Sequence, residues 1–122
     1  MEITRSEHGE QQAFFDWARL NEGKYPELEL LYAIPNMGKR SYATANYMRS
    51  EGMRSGVPDI HLPVARGKYI GWWRELKTDT GRPTANQKKW IKRLSEHGHD
   101  VGICHGCDEL IDEVTKYLDQ KR

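Results

Sequence analysis

Two carboxylates and a lysine stand on neighbouring stretches of this chain, at a spacing that could let them work together. Asp59 leads into the short stretch 60–64, and Glu75 stands two residues before Lys77 in the longer stretch 69–77. Side chains at positions i and i+2 of a strand point to the same face, so Glu75 and Lys77 should lie side by side. If the two stretches pair as a hairpin, the carboxylates of Asp59 and Glu75 meet at one end of the sheet.

Two adjacent carboxylates repel each other, and each raises the pKa of the other unless a cation lies between them. A divalent metal resolves this repulsion, since Mg²⁺ binds one or two carboxylates together with water and phosphate oxygens. Lys77 could then assist deprotonation of a water molecule or stabilise charge that develops on a phosphate. The residues alone leave a second interpretation open, in which Glu75 and Lys77 form an exposed ion pair and Asp59 is a turn residue.

The elements that must position these residues follow from the spacing of apolar residues and from the breakers between them. Helices are predicted over about 6–21, 41–51, 84–97 and 107–118, and strands over 28–34, 60–64, 69–77 and 101–104. The order is α-β-α-β-β-α-β-α, and a helix between the last two strands implies a right-handed crossover and a parallel pair. The predicted class is α/β, with a mixed central β-sheet flanked by helices. Because no repeat or linker divides the chain, a single domain over 1–122 is expected.

Composition excludes several functional classes. The 122 residues include 19 Lys and Arg against 18 Asp and Glu, so binding of nucleic acid through bulk positive charge is excluded. Aromatic residues make up 10% of the chain, which is too many for a disordered protein. No apolar run approaches the roughly 18 residues of a membrane span, and the first seven residues carry no apolar signal segment. With only two cysteines, we expect a protein of the reducing cytoplasm, without a membrane partner.

Three segments, taken in order, carry a resemblance to a known family. They are Gly56-Val57-Pro58-Asp59, Glu75-Leu76-Lys77 and Thr84-Ala85-Asn86-Gln87-Lys88-Lys89-Trp90. This pattern resembles the PD-(D/E)XK nuclease superfamily and, more narrowly, its VRR-NUC family, from the first helix to the strand near Val101. The resemblance implies a restriction-endonuclease-like core and a Mg²⁺- or Mn²⁺-dependent endonuclease that hydrolyses phosphodiester bonds in DNA. Similar stand-alone members, associated with viruses (phages among them) and mobile elements, act as homodimers on branched DNA such as Holliday junctions.

The resemblance also implies roles for individual residues. Asp59 and Glu75 would bind the metal ion, and the backbone carbonyl of Leu76 would join them as a ligand. Lys77 would position or activate the attacking water. Gln87, one helix further on, would orient Lys77 or a phosphate.

The family places one more acid on the first helix, close to the metal, and this chain offers Glu7 and Glu10 there. Glu10 lies one turn before Phe14 and shares the helix face of Ala13 and Trp17, so its carboxylate should point toward the protein body. An inward-facing carboxylate is costly without a partner, and we therefore prefer Glu10 as the catalytic and metal-binding acid. The alternative for Glu10 is a simple charge interaction with the helix N-terminus.

Cationic and polar residues near these acids would contact the DNA backbone, which the carboxylates alone would repel. The residues expected to do so are Lys39, Arg40, Arg49, Arg54, Thr84, Lys88, Lys89 and Lys92, with Arg93 beside them. Ordinary solvated side chains remain the alternative for each of them. Because the sequence contains no base-reading module, structure-selective binding is favoured over sequence-specific binding.

Two alternative functions remain open. The first is a non-catalytic nucleic-acid-binding module on the same fold. The joint presence of Asp59, Glu75, Lys77 and Gln87 argues against it, because a site that had lost its activity would be expected to lose at least one of them. The second is a small zinc-binding interaction protein built on Cys104 and Cys107, with nearby histidines as further ligands (His97, His99 and His105). The more economical interpretation is a buried Cys104 and a solvent-side Cys107.

The adjacent Trp72 and Trp73 should point to opposite faces of their predicted strand. One of the two rings must therefore lie away from the core. Together with Tyr69 and Ile70, that outward ring could contribute to the interface of the expected homodimer.

Overall fold

A mixed four-stranded sheet with helices around it forms the scaffold in the computed structural model, which describes residues 6–35, 41–78 and 80–122. The helices are α1 (Glu7–Leu20), α2 (Tyr42–Ser50), α3 (Ala85–Glu96) and α4 (Cys107–Leu118), and the strands are β1 (Tyr32–Ala33), β2 (Ile60–Leu62), β3 (Trp72–Leu76) and β4 (Asp100–Cys104), with a 3₁₀-helix over Pro26–Leu30. The predicted α/β class and its element order are confirmed.

The strands lie in the order β1-β2-β3-β4. β2 pairs antiparallel with both β1 and β3, and β3 pairs parallel with β4. The predicted hairpin and the predicted parallel pair are therefore both present. In the hairpin register Ile60 lies opposite Arg74 and His61 lies opposite Trp73. One step further along the same register, Asp59 comes opposite Glu75.

The core lies between one face of the sheet and helices α1 and α4. Its fully buried apolar side chains are Phe14, Ile60, Leu62, Trp72, Leu76, Cys104, Leu110 and Val114. Burying side chains of this size supplies the main driving force for folding. Because side chains alternate along a strand, Trp72 and Leu76 enter this core while Trp73 and Glu75 face the other side of β3.

Side-chain caps fix the starts of the first three helices. The hydroxyls of Ser6 and Ser41 accept hydrogen bonds from the backbone N–H groups of Gly9 and Thr44. Thr84 caps α3 in the same way by accepting from Gln87. These caps agree with the predicted helix starts, because Ser and Thr at this position satisfy an otherwise unpaired N–H group. Among the described residues, no helix has the length and apolarity that crossing a membrane would require.

The segment 28–34, predicted as a strand, is mostly not one. Pro26 begins a 3₁₀-helix that ends at Leu30, and only Tyr32 and Ala33 pair with β2. Leu28 and Leu31 are the buried residues of this segment, and their spacing of three matches one 3₁₀ turn. A run of alternating Leu and Glu fits both the two-residue period of a strand and the three-residue period of a 3₁₀-helix. Proline at the first helical position favours the helix.

The two strands of the hairpin are also shorter than predicted. β2 ends at Leu62 because Pro63 has no N–H to donate to the sheet. β3 begins at Trp72, because the chain before it closes a separate small bridge between Arg66 and Tyr69.

Candidate metal centre and nucleic-acid cleft

The hairpin register brings the carboxyl groups of Asp59 and Glu75 together at the end of β2 and β3. Glu75 is only 2% exposed, which is unusual for an acid. The Oδ2 atom of Asp59 accepts a hydrogen bond of 2.8 Å from the backbone N–H of Leu76. This bond fixes the orientation of the Asp59 carboxylate across the strand pair.

Burial is the main reason why the pKa of Glu75 is raised to about 9. A hydrogen bond to the Asp59 carboxyl and the negative charge of that group raise this pKa further, and so does the charge of Glu7. Among the described residues, the Lys77 ammonium alone acts in the opposite direction and lowers this pKa. Without a cation in the site, Glu75 therefore keeps its proton at neutral pH.

The donor set fits a divalent cation. The Oε1 atom of Glu75 is buried and has no hydrogen-bond partner among the described residues, although buried acceptors are almost always paired. A hard cation would satisfy this oxygen and remove the repulsion between Glu75 and Asp59. No group of three or more His, Cys, Asp or Glu side chains in the described part of the chain is arranged as a complete ligand shell. The two acids therefore suit an ion such as Mg²⁺, which keeps several water or phosphate oxygens of its own.

The two acids of α1 have different surroundings. The Oε2 atom of Glu10 accepts a hydrogen bond of 2.9 Å from the backbone N–H of Cys107, the first residue of α4. Glu7 is the acid of α1 whose charge raises the pKa of Glu75. Both acids therefore stay candidates for the first-helix acid of the site, and the preference for Glu10 stays a prediction. The bond with Cys107 also places the Glu10 carboxylate at the positive end of α4.

Lys77 follows β3 directly and continues its pairing. Its backbone N–H donates to the Cys104 carbonyl at 2.9 Å, which keeps the strand geometry for one more residue. Lys77 therefore stands on the same side of the strand as Glu75, as the spacing predicts, and its positive charge lowers the pKa of Glu75.

Gln87 and Thr84 bind each other at the start of α3. The Gln87 Oε1 atom accepts from the Thr84 backbone N–H at 2.9 Å, and the Thr84 hydroxyl accepts from the Gln87 backbone N–H at 3.2 Å. This reciprocal pair is a capping box, and the spacing Thr-x-x-Gln is its sequence signature. Among the described residues, no hydrogen bond joins Gln87 to Lys77. The roles of Gln87 in orienting Lys77 and of Thr84 in binding DNA stay predictions.

A cleft of about 710 Å³ opens between the end of α2, the loop that follows it and α3. We call it the basic cleft, and its lining residues are Arg49, Gly52, Met53, Arg54, Ser55, Asn86, Lys89, Trp90 and Arg93. Every charged residue among the described lining residues is a cation. The structure thus brings together Arg49, Arg54 and Lys89, which were expected to bind DNA, with Arg93, which was expected beside them.

The wall of the basic cleft continues along the chain to Asp59 of the candidate metal centre. The Asn86 Nδ2 atom donates to the Ser55 hydroxyl at 2.9 Å, which ties α3 to the loop. Gly56 follows with a φ of +88°, and a Cβ there would lie 2.7 Å from the backbone carbon of Asn86. Pro58 is buried next to it, and Asp59 comes after. The Gly-x-Pro-Asp segment therefore connects the cations to the first acid.

Three further residues expected to bind DNA, Thr84, Lys88 and Lys92, do not line this cleft. Lys88 and Lys92 are exposed on α3. Lys39 and Arg40 lie outside the described residues.

Comparison with known families decides the identity of the domain. A family model of the VRR-NUC domain matches residues 1–108. The chain belongs to the VRR-NUC family. The resemblance seen in the sequence is thereby confirmed, and this chain is a domain of the nuclease type.

A solved structure described as a VRR-NUC domain protein has the same fold. It superposes with a TM-score of 0.84, is 23% identical, and the match covers 98% of this chain and 93% of that one. A search of curated protein sequences gives no significant match.

One sequence expectation needs correction in this VRR-NUC domain. Cys107 is buried like Cys104, whereas a solvent-side position was expected. Trp73 is the outward ring of the tryptophan pair, and it is half-buried. It stacks on His61 with ring centroids 3.7 Å apart, and its Nε1 atom donates to His99 at 3.0 Å. Its part in a dimer interface stays a prediction.

The sequence analysis missed Arg74, which is 6% exposed in the middle of β3. Its guanidinium pairs with Glu113 of α4 at 2.6 Å and with Asp100 of β4 at 2.9 Å. Arg74 therefore links three elements of the VRR-NUC domain beside the strand end that carries Glu75. The alternation along the strand places Arg74 on the face that packs on the core. This position was a signal that Arg74 has acidic partners, since a buried arginine requires them.

Proposed function

We propose that this protein is a Mg²⁺- or Mn²⁺-dependent DNA endonuclease whose ion is held by Asp59 and Glu75. The observation that supports this most is the buried, unpartnered Oε1 of Glu75 next to a second carboxyl group. When bound, the ion would supply Lewis-acid activation of water and of the scissile phosphate. The Leu76 carbonyl is a further candidate ligand at this end of β3.

The residues of the chain itself have separate tasks in this proposal. The Leu76 N–H keeps the Asp59 carboxylate oriented toward Glu75. Lys77 supplies a positive charge beside Glu75, where it positions the attacking water or stabilises charge on the phosphate. Glu7 adds a third negative charge that favours binding of a cation.

The proposed substrate is branched DNA of the Holliday-junction type, cut by a homodimer. Membership of a nuclease-type family supports DNA as the substrate. The basic cleft supplies the positive charge that brings a phosphate backbone to the acids. A two-fold dimer would present two centres to two strands, which suits paired incisions.

The test is a cleavage assay on a four-way junction, a flap and a plain duplex, each with Mg²⁺, Mn²⁺ or EDTA. The wild type should cut only with a metal ion and should prefer the junction. Asp59→Ala and Lys77→Ala should each reduce the rate by at least about 100-fold. The control is Asp108→Ala, which removes an exposed acid of α4.

Equal cleavage by the wild type and Asp59→Ala would overturn the proposal, because it would identify a contaminating nuclease. Binding of DNA without cleavage under any metal condition would favour the non-catalytic alternative. The homodimer is checked separately by the mass of the wild type in solution with and without the junction.

A further inference from the structure

We infer that the basic cleft is a subsite for one unpaired nucleotide of the DNA, whose base lies against Trp90 and Met53. This inference rests on the proposed function and adds to it a reason for selecting substrates by their structure. The nucleotide would be one that is unpaired at the branch point of a junction, or one from the single-stranded part of a flap or tailed substrate.

The shape of the basic cleft favours a nucleotide over an intact duplex. Its volume of about 710 Å³ lies in the range of roughly 300–1,000 Å³ that is typical of small-molecule pockets. A duplex is far too wide to enter such a cleft and can only lie across its rim. A single base with its sugar can enter it.

The lining combines two kinds of side chain that a nucleotide needs. Trp90 and Met53 are its large apolar members, and Met53 is 40% exposed. An indole and a thioether can pack against the flat face of any base, so binding of the unpaired nucleotide should not depend on which base it carries. A surface that bound only phosphates would not require either of them.

The charges around the cleft suit the phosphates on both sides of the unpaired nucleotide. Arg49 and Arg54 contribute from α2 and its loop, and Lys89 and Arg93 contribute from α3. Among the described lining residues none is acidic, so no charge opposes the phosphates. Arginine can also stack on a base, whereas lysine acts as a point charge.

The cleft lies close to the acids along the chain. Ser55 of the cleft and Asp59 are four residues apart, which spans at most about 14 Å of extended chain. A nucleotide beside Ser55 is therefore only a few positions along the strand from the phosphate at the proposed metal centre.

The test compares the binding of two fluorescent probes in EDTA, where no cleavage occurs. One probe is a blunt duplex, and the other is the same duplex with an unpaired tail of four nucleotides. The wild type should bind the tailed probe more tightly. Trp90→Leu should weaken binding of the tailed probe by about 5- to 100-fold and leave the blunt duplex within about twofold, since stacking acts only on the unpaired base.

Two further variants complete the comparison. Met53→Ala tests the same surface through an exposed residue, in case Trp90→Leu lowers the folded fraction, which is measured by circular dichroism. Lys89→Ala should weaken both probes to a similar degree, because it removes only a phosphate contact.

Equal binding of both probes by the wild type would overturn the inference. So would an equal loss on both probes in Trp90→Leu and Met53→Ala, because the cleft would then bind only the backbone. If the wild type prefers the tail but never cleaves DNA, the cleft inference stands and the proposed enzyme activity fails.

Discussion

Glu75 carries a proton in the metal-free protein, because the fold buries its carboxyl group next to Asp59. Its pKa is about 9 in the folded state and 4.5 for an unperturbed Glu. Between these two values the folded state binds more protons than the unfolded state, so the free energy of unfolding must fall as the pH rises. The contribution is fully present below about pH 4.5 and is lost as the pH approaches about 9, with a slope of at most about 1.4 kcal/mol per pH unit.

Glu75→Gln should therefore remove this pH dependence. The amide is neutral at every pH and can still donate a hydrogen bond to Asp59, as the protonated acid does. In EDTA the variant should be more stable than the wild type at pH 8 and similar to it at pH 4.5, although it loses activity. Urea denaturation of both proteins across this range measures the difference, and a difference that does not change with pH would contradict the assignment.

Glu7 and Glu10 provide a second prediction for single residues, because the same change at the two positions should have opposite effects. Glu10→Gln removes a charge from the N-terminus of α4 and should lower the free energy of unfolding by about 0.3–1 kcal/mol, with cleavage retained. Glu7→Gln removes a charge that acts on Glu75 and should weaken metal-dependent cleavage. Any loss of stability should be limited to the small interaction of Glu7 with the N-terminus of α1. Thermal melts and cleavage rates of both variants check this. Loss of cleavage in Glu10→Gln alone would identify Glu10 as the first-helix acid, as the sequence predicts.

At the scale of elements, the loop from α2 to β2 depends on Gly56. This residue has a φ of +88°, and a Cβ there would overlap the backbone of Asn86 in α3. Gly52 earlier in the loop is a matched control, because its φ is +101° and a Cβ there would meet no described atom within 4 Å. Both glycines adopt a positive φ, which residues other than glycine disfavour. Of these two, only Gly56 also lies so close to the backbone of Asn86 that a Cβ would overlap it.

Gly56→Ala should therefore destabilise the protein more than Gly52→Ala does. A left-handed conformation costs a non-glycine residue about 1–3 kcal/mol, and the contact with Asn86 adds to this at Gly56 alone. Gly56→Ala should also reduce DNA binding, because the loop forms one wall of the basic cleft. Urea denaturation of both variants tests the first statement, and an equal loss of stability would contradict it. Binding of a duplex probe by Gly56→Ala and by the wild type tests the second, because Gly52 itself lines the cleft, and unchanged binding would contradict it.

The elements that the sequence predicts best are those whose limits are set by local chemistry. Ser6, Ser41 and Thr84 mark helix starts by side-chain caps, and Gly52 and Gly98 follow the helix ends with positive φ values. The prediction of a strand over 28–34 was wrong because the leucines of this segment fit a strand and a 3₁₀ turn equally well. The burial of Leu28 and Leu31 in the folded protein decides between the two.

The approach of Asp59 to Glu75 was predictable because it depends on one hairpin, in which nearby strands must pair. The partner of Glu10 was not, because Cys107 lies 97 residues away and only the packing of α1 on α4 brings the two together. The basic cleft could not be predicted from the sequence for the same reason, since α2 and α3 approach each other only in the folded chain. The capping box of Thr84 and Gln87, by contrast, was readable from its spacing alone.

At the scale of the whole molecule, a net charge of only +1 conceals an uneven distribution. Four cations line the basic cleft, while α4 carries acids such as Asp108, Glu109 and Asp112 on exposed positions. Binding of DNA should therefore weaken steeply with salt, because each phosphate contact releases counterions.

Lys89→Ala should lower the slope of log K against log salt by about 0.9 for a duplex, because it removes one phosphate contact. Lys116→Ala is the matched control, since this lysine of α4 pairs with Asp112 and does not line the cleft. Anisotropy titrations at several salt concentrations measure both slopes. Equal slopes for the two variants would place the phosphate contacts elsewhere on the protein.

The most direct test of the shared cation at Asp59 and Glu75 is calorimetric titration with Mn²⁺ at pH 7.5, repeated in two buffers that differ in ionisation enthalpy. Because Glu75 has a pKa of about 9 and must lose its proton to bind an ion, the wild type should release about one proton per Mn²⁺ at a saturable site. Glu75→Gln should show neither that site nor the proton. Proton-free binding by the wild type, or unchanged binding in Glu75→Gln, would contradict a metal centre built on these two acids.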